Sequence, residues 1–409
     1  MTDPLNISDL SKKVDELNAI SFEVKNSNPK LSESNAKEAL TLSEKINYIK
    51  GKAYSLSNLG FSLFHSADHE KAFTYLLESL SLYEQLEDEG GIANVHYNLG
   101  VLHLRIGVFD QAIHFLHKSL SYREKINERS GMAACYFQLT YLSQHFNDLE
   151  GAEENALKAI KVREELKDDG GLGAAYMVLG DVYLKRKEFS KAEEVLKKSL
   201  DLRLKSNERM GIFATMLRWA ELLMELKNFE EARKFALEGM KIAEEENVRY
   251  GVMRFKQALG KMELLLNNKP EAKKAYLNAM NYAETYGFKS VQYEIYYSMS
   301  EICKQEGDLK SAFDYFEKFH ALKEEVINHQ TNTQLKSVQF IAQIEFARKE
   351  AKLEKEKNNE LQKAYKVIED KNKDITDSIN YARRIQKSLL PSDRSIEKSL
   401  KKLSNDQIT

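Results

Sequence analysis

Asn58, Asn98 and Gln138 recur at intervals of forty residues. A side-chain amide offers both a donor and an acceptor, so a regular row of them can hold the backbone of an extended peptide. Arg123, Arg163 and Arg203 recur at the same interval, and the first two are followed by Glu, which suggests a ladder of salt bridges rather than an anion site. His96, His103, His114 and His117 crowd into one stretch, and His114 and His117 stand three apart, a spacing compatible with a metal. No Cys, Asp or Glu completes a tetrahedral set at recognisable spacing, so surface or inter-helix histidines are expected, with no metal and no cofactor. Cys135 and Cys303 are far apart and in no ligand spacing, which reads as two reduced thiols. No Gly-rich phosphate loop or nucleophile elbow occurs. No catalytic residue is therefore nominated, and the chain is expected not to be an enzyme.

The elements that position these side chains follow from the same interval. Stepping by forty from Ala72 reaches Ala112, Ala152, Ala192, Ala232, Ala272 and Ala312 without exception. Twelve residues before each stands a small residue: Gly60, Gly100, Thr140, Gly180, Ala220, Gly260 and Ser300. A third phase reads Gly51, Gly91, Gly131, Gly171, Gly211 and Gly251. Between these marks, apolar residues recur at helical spacing, as in Leu76, Leu80 and Tyr83. Each period thus reads as a pair of amphipathic helices joined by a short polar turn, with small residues where the two backbones meet. The third-phase glycines are expected at the handover between hairpins, where a left-handed or tight conformation is cheap only for Gly. Pro29 and Pro270 fall at predicted turns, and Pro391 is expected to end a helix.

Tyr97-Asn98-Leu99-Gly100 followed by Phe109-Asp110-Gln111-Ala112 resembles the tetratricopeptide repeat. The forty-residue period is similar to the longer subclass found in kinesin light chains, Pins-like polarity adaptors and bacterial peptide-sensing regulators. Aligning Ile20 with Gly60, and Ala39 to Leu42 with Ser79 to Leu82, places a degenerate first hairpin in residues 1–50. Seven clearer units fill 51–329. The resemblance implies an all-α fold, a right-handed superhelix of about eight helical hairpins whose first helices line a concave groove. Counting from the small residue, the expected groove positions are Asn58, Phe61, His65, Asn98, Val101, Arg105, Gln138, Tyr141, His145, Asp181, Lys185 and Arg218. Val178, Glu221, Arg254 and Lys261 continue the lining. Repeats of this kind resemble those that use an asparagine ladder on peptide backbone. Phe61, Tyr97, Phe137 and Tyr141 could supply pockets, although such a stripe more often packs as core.

The chain has 409 residues and a net charge of −2, with both signs interspersed, so no basic face for nucleic acid is expected. The N-terminal segment has no apolar h-region and no apolar run is long enough to span a bilayer, so a cytoplasmic protein without membrane association is expected.

From about residue 335 a heptad replaces the forty-residue phase. Its seam runs through Leu361, Tyr365, Ile368, Asn372, Ile375 and Ile379, with charges on the other faces. A long helix over 330–390 is expected to pair as a parallel two-stranded coiled coil, giving a homodimer through residues 340–390, with a polar tail at 391–409. Within it, Ala382-Arg383-Arg384-Ile385-Gln386 leading to Leu389-Leu390-Pro391 resembles the linker that joins tetratricopeptide sensors to SpoIIE-type serine/threonine phosphatase domains in bacterial signalling proteins. Only 18 residues follow Pro391, too few for such a domain. The expectation is a scaffold of a cytoplasmic signalling system that binds a protein or extended peptide in its groove. Two further readings are the sensory half of a SpoIIE-type phosphatase whose catalytic domain is absent from this chain, and a peptide-pheromone-type regulator.

Overall fold

Two amphipathic segments per forty residues fold into helices of nearly equal length. The computed structural model describes residues 4–25, 28–65, 68–389 and 393–405. Among these the regular elements are all helical. They are α1 (Pro4–Val24), α2 (Pro29–Lys45), α3 (Ile49–Ser62), α4 (His69–Gln85), α5 (Glu89–Ile106), α6 (Phe109–Lys125), α7 (Arg129–His145) and α8 (Leu149–Leu166). There follow α9 (Asp169–Lys185), α10 (Phe189–Lys205), α11 (Arg209–Glu225), α12 (Phe229–Glu245), α13 (Arg249–Leu265), α14 (Lys269–Tyr286), α15 (Lys289–Gln305), α16 (Leu309–Leu389) and α17 (Asp393–Asn405). Odd-numbered helices up to α15 are the A helices of eight hairpins. Each B helix follows its A helix, the last being the start of α16. Each A helix through α13 packs on its own B helix, each from α3 onward packs on the B helix before it, and α3, α5, α7, α9, α11 and α13 also touch in succession. α15 meets the start of α16 where Ser300 Oγ donates to Ala312 O.

The small residues stand where the A and B backbones are closest. Ala72, Ala112, Ala152, Ala192 and Ala272 are wholly buried. A Cβ on Gly100 would lie 2.8 Å from Leu116 Cγ and 3.3 Å from the Ala112 carbonyl, and Gly60 and Gly180 face Leu76 and Leu196 in the same way. Volume is exchanged across this contact. Where the A helix carries Thr140 or Ala220 instead of Gly, the B-helix position corresponding to Leu116 holds the buried Ala156 or Ala236. Close packing tolerates one bulky partner per site, not two.

The third-phase glycines sit elsewhere than expected. Gly91 and Gly131 are third residues of α5 and α7, in helical conformation, and a Cβ on them would overlap Tyr83 and Arg123 of the preceding B helix. They make room for a side chain and turn nothing. The left-handed conformation falls on another series: Asn47 and then every twentieth residue from Glu87 to Gly307. There the backbone closes each helix with paired bonds, such as Asp88 N–H to Tyr83 O at 3.0 Å and Glu87 N–H to Glu84 O at 3.3 Å. The next residue often caps the following helix; Asp88, Asp148 and Asp168 each accept from a backbone N–H at 2.9 Å. Helix, closure and cap therefore occupy twenty residues, twice per period.

In the first hairpin Ile20 is 43% exposed, whereas Asn18 is buried. Pro29 and Pro270 lie in the first turns of α2 and α14, where a missing N–H costs nothing; Pro391 lies outside the described residues. Residues Met1–Gln339 form one unit and Phe340–Thr409 a second. α16 runs through residue 329 without interruption. The tail expected to be merely polar contains α17, whose Ile396, Leu400 and Leu403 stand at helical spacing.

Candidate binding groove

The A helices α1, α3, α5 and α7 carry Asn18, Asn58, Asn98 and Gln138 in register. Each amide donates to its neighbourhood in the array: Asn18 Nδ2 to Gly51 O at 3.1 Å and Asn58 Nδ2 to Asn18 O at 3.0 Å. Asn98 Nδ2 donates to Ser57 Oγ at 3.1 Å and Gln138 Nε2 to the Tyr97 hydroxyl at 3.2 Å. The amide row ties successive A helices together, and it also borders a cavity of about 570 Å³. Six of the expected groove residues line that cavity: Asn58, Phe61, Asn98, Val101, Arg105 and Gln138. Tyr97 and Phe137 line it too, so these rings wall a cavity as well as pack.

Three cations on the wall were not expected there. Lys25 Nζ lies 3.6 Å from the Phe22 ring centroid and 4.5 Å from that of Phe61. Burial, with the Arg123 charge second, pulls its ammonium down to about 8. Arg123 is buried; its Nε donates to Ser119 Oγ at 3.0 Å, its Nη2 to Asn94 Oδ1 at 2.8 Å, and it pairs with Glu128. Arg163 Nη1 lies 2.6 Å from Asp168 Oδ2 and 3.1 Å from Ser130 Oγ. Arg123 and Arg163 thus each make an ion pair from a B helix to the cap of the next A helix, whereas the buried Arg203 of the same series keeps an Nε without a hydrogen-bond partner among the described residues. Arg105, an expected groove residue, donates from Nη1 to Phe64 O at 2.8 Å, and burial lowers its basicity. The signal for Arg123 was present in the sequence: Tyr83, Arg123, Arg163 and Arg203 are each followed eight residues later by glycine.

The other expected positions lie outside this cavity. Tyr141 packs against Phe137 with ring centroids 5.1 Å apart, and burial raises its phenol to about 12. His145 packs on Phe109 with tilted rings, centroids 3.8 Å apart. Lys185 is exposed. Asp181 Oδ1 stands 2.7 Å from Arg218 Nε, yet burial outweighs that partner and raises the carboxyl to about 6. Arg218 continues to Glu221 at 2.7 Å, and Arg254 lies 3.6 Å from Glu294, so this half of the groove neutralises its own charge. A second cavity of about 730 Å³ lies here, with Glu221, Arg254, Lys261 and Tyr297 among its lining. The side chain of His65 lies outside the described residues.

His96 and His103 are buried between helices, and His103 lies between Phe115, on which it stacks at 5.2 Å, and the tilted ring of Phe73 at 5.0 Å. His117 is exposed. Among the described residues no three His, Cys, Asp or Glu side chains gather as a metal site, and Cys135 and Cys303 are free and buried. On α16, Leu361, Tyr365, Ile368, Asn372, Ile375 and Ile379 are all exposed. No described helix is long and apolar enough to cross a membrane.

Against this geometry, one tetratricopeptide-repeat profile matches residues 51–125 and another matches 173–206 and 293–324. The chain carries tetratricopeptide repeats. A profile described as anaphase-promoting complex subunit 5 overlaps them at 96–182. Comparison by sequence with curated proteins returns no match. Among solved structures, the repeat array is similar to the apo form of the quorum sensor NprR from B. thuringiensis. The TM-score is 0.60 at 17% identity, covering 76% of this chain and 86% of that one. It is also similar to aspartyl phosphate phosphatase F from Bacillus subtilis (TM-score 0.56, 11% identity, 79% and 96% covered). A third likeness is to the Rap conjugation gene regulator of plasmid pLS20 in complex with the Phr* peptide (TM-score 0.54, 13% identity, 78% and 96% covered). At such identities the likeness is one of fold.

Proposed function

We propose that this chain is a scaffold of a cytoplasmic signalling system that takes an extended peptide or protein segment into the groove of its first four hairpins, without catalysing a reaction. The observation that carries this reading is the cavity bordered by Asn58, Asn98 and Gln138, walled by Phe61, Tyr97 and Phe137 and rimmed by cations. Apolar walls with a few fixed polar groups are how proteins orient ligands. In the other half of the groove the Asp181, Arg218 and Glu221 side chains are engaged with one another, and no row of amides recurs there.

The exposed seam on α16 supports pairing of two chains, which would present two grooves to a clustered partner. The likeness to a quorum sensor and to a regulator bound to a peptide favours the peptide-responsive regulator as the second reading. Regulation of a SpoIIE-type phosphatase rests on the linker resemblance alone.

The test is a random linear-peptide library panned on the full chain, with selected peptides measured by calorimetry. Phe61→Ala and Asn98→Ala are expected to weaken binding at least about tenfold, the equivalent of 1.4 kcal/mol. A library yielding no binder, or binders indifferent to both substitutions, rejects the groove. Release of phosphate from phosphoprotein in the presence of manganese would reject the non-catalytic reading.

A further inference from the structure

α16 leaves the array and then meets it again. Residues 327–332 of α16 are exposed on every side, after which Thr333 and Gln334 are half-buried and Ser337 is only 5% exposed. The landing point is known for Gln334. Its side-chain amide lies over Gly107, so closely that a Cβ on that glycine would overlap Nε2. Gly107 closes α5 in the left-handed region, with φ of 82°. The eighth hairpin's last helix therefore touches the third hairpin's turn, roughly two hundred residues away in sequence.

The missing side chain at 107 does not follow from backbone conformation alone. The equivalent turn positions hold Asn147, Lys187, Lys227 and Asn267, all left-handed. Gly287 and Gly307 share the conformation of Gly107 but would meet nothing within 4 Å. Of these three glycines, only Gly107 has another element in that space. Arg105, two residues earlier on α5, lines the cavity, so the turn that meets Gln334 is continuous in the chain with the cavity wall.

We infer that the Gln334 segment of α16 is an intramolecular strap fastened on Gly107, and that its release opens the groove to ligand. The gating half of this inference rests on the groove reading above; the strap itself does not. A peptide entering beside Asn98 and Arg105 presses on the turn that holds Gln334, so binding and the position of α16 become linked equilibria.

The test is hydrogen exchange, followed by mass spectrometry, on the full chain and three variants. Gly107→Ala and Gln334→Ala are expected to speed exchange of amides 327–339 by about tenfold or more, the sign of a lost local restraint. Gly287→Ala imposes the same backbone strain and is expected to leave that segment unchanged. Gln334→Ala alters only a half-buried side chain, so its result stands even where Gly107→Ala unfolds. Wild-type exchange in Gln334→Ala, or equal loosening by Gly287→Ala, overturns the strap. The gate is read from association rates of a panned peptide, expected about tenfold faster in Gln334→Ala; an unchanged rate refutes gating. If panning yields no binder, the groove reading and the gate fall together, while exchange still decides the strap.

Discussion

Asn98 lines the cavity and also donates to Ser57 Oγ on the preceding A helix, so its substitution has two readouts. Asn98→Ala leaves a buried hydroxyl short of a donor and is expected to cost about 1–2 kcal/mol of stability in urea unfolding, besides any effect on ligand. His103 gives a sharper test. Burial holds it near 4, below the ordinary 6.5, and both ring nitrogens lack a hydrogen-bond partner among the described residues. The unfolded chain takes up a proton as pH falls through 6.5, while the folded chain resists until about 4. Stability is therefore lost across that window on acidification, by up to about 3 kcal/mol. His103→Phe keeps the ring between Phe73 and Phe115 and is expected to flatten the dependence of the urea midpoint between pH 7 and 4.5. An unaltered slope would mean that His103 is not the group titrating.

Between elements, the exchange of volume across the hairpin can be measured as a cycle. Gly100→Ala is expected to cost about 1–3 kcal/mol because Leu116 and the Ala112 carbonyl already fill the space. Leu116→Ala alone is expected to cost about 2–5 kcal/mol for the cavity it leaves. Together they reproduce the Ala220 and Ala236 pair, and the double variant is expected to lose less than the sum by about 1 kcal/mol or more. Strict additivity, measured by calorimetric or chemical unfolding, would dissociate the two positions. This layer was legible in the sequence because a small residue held at one phase through seven periods serves little besides close backbone approach. The closures every twenty residues were not, since Glu87, Asn127, Lys167 and Gly107 share a conformation without sharing a chemistry. Lys25 was legible too: it stands forty residues before His65 and eighty before Arg105, on the same groove phase, but the count of lining residues began only at the second hairpin.

At the scale of the molecule, Ile368 and Ile375 stand on one exposed face of α16. The full chain is expected to scatter light as a dimer, and Ile368→Lys with Ile375→Lys, or a chain ending at Asn328, as a monomer. A dimer in those variants would locate self-association in the repeats. Six of twelve expected groove residues line one cavity because counting along a repeat gives the face of a helix correctly. It does not give where facing charges cancel, as Asp181 and Arg218 do, since that depends on which neighbours the curvature brings together. The encounter of Gln334 with Gly107 depends on that curvature entirely. Deleting or duplicating one forty-residue module would keep the packing within each remaining hairpin, yet it would lengthen or shorten the arc so that Gln334 arrives opposite the wrong turn. The number of modules between the third and eighth hairpins thus acts as a gauge that sets which turn the Gln334 amide meets.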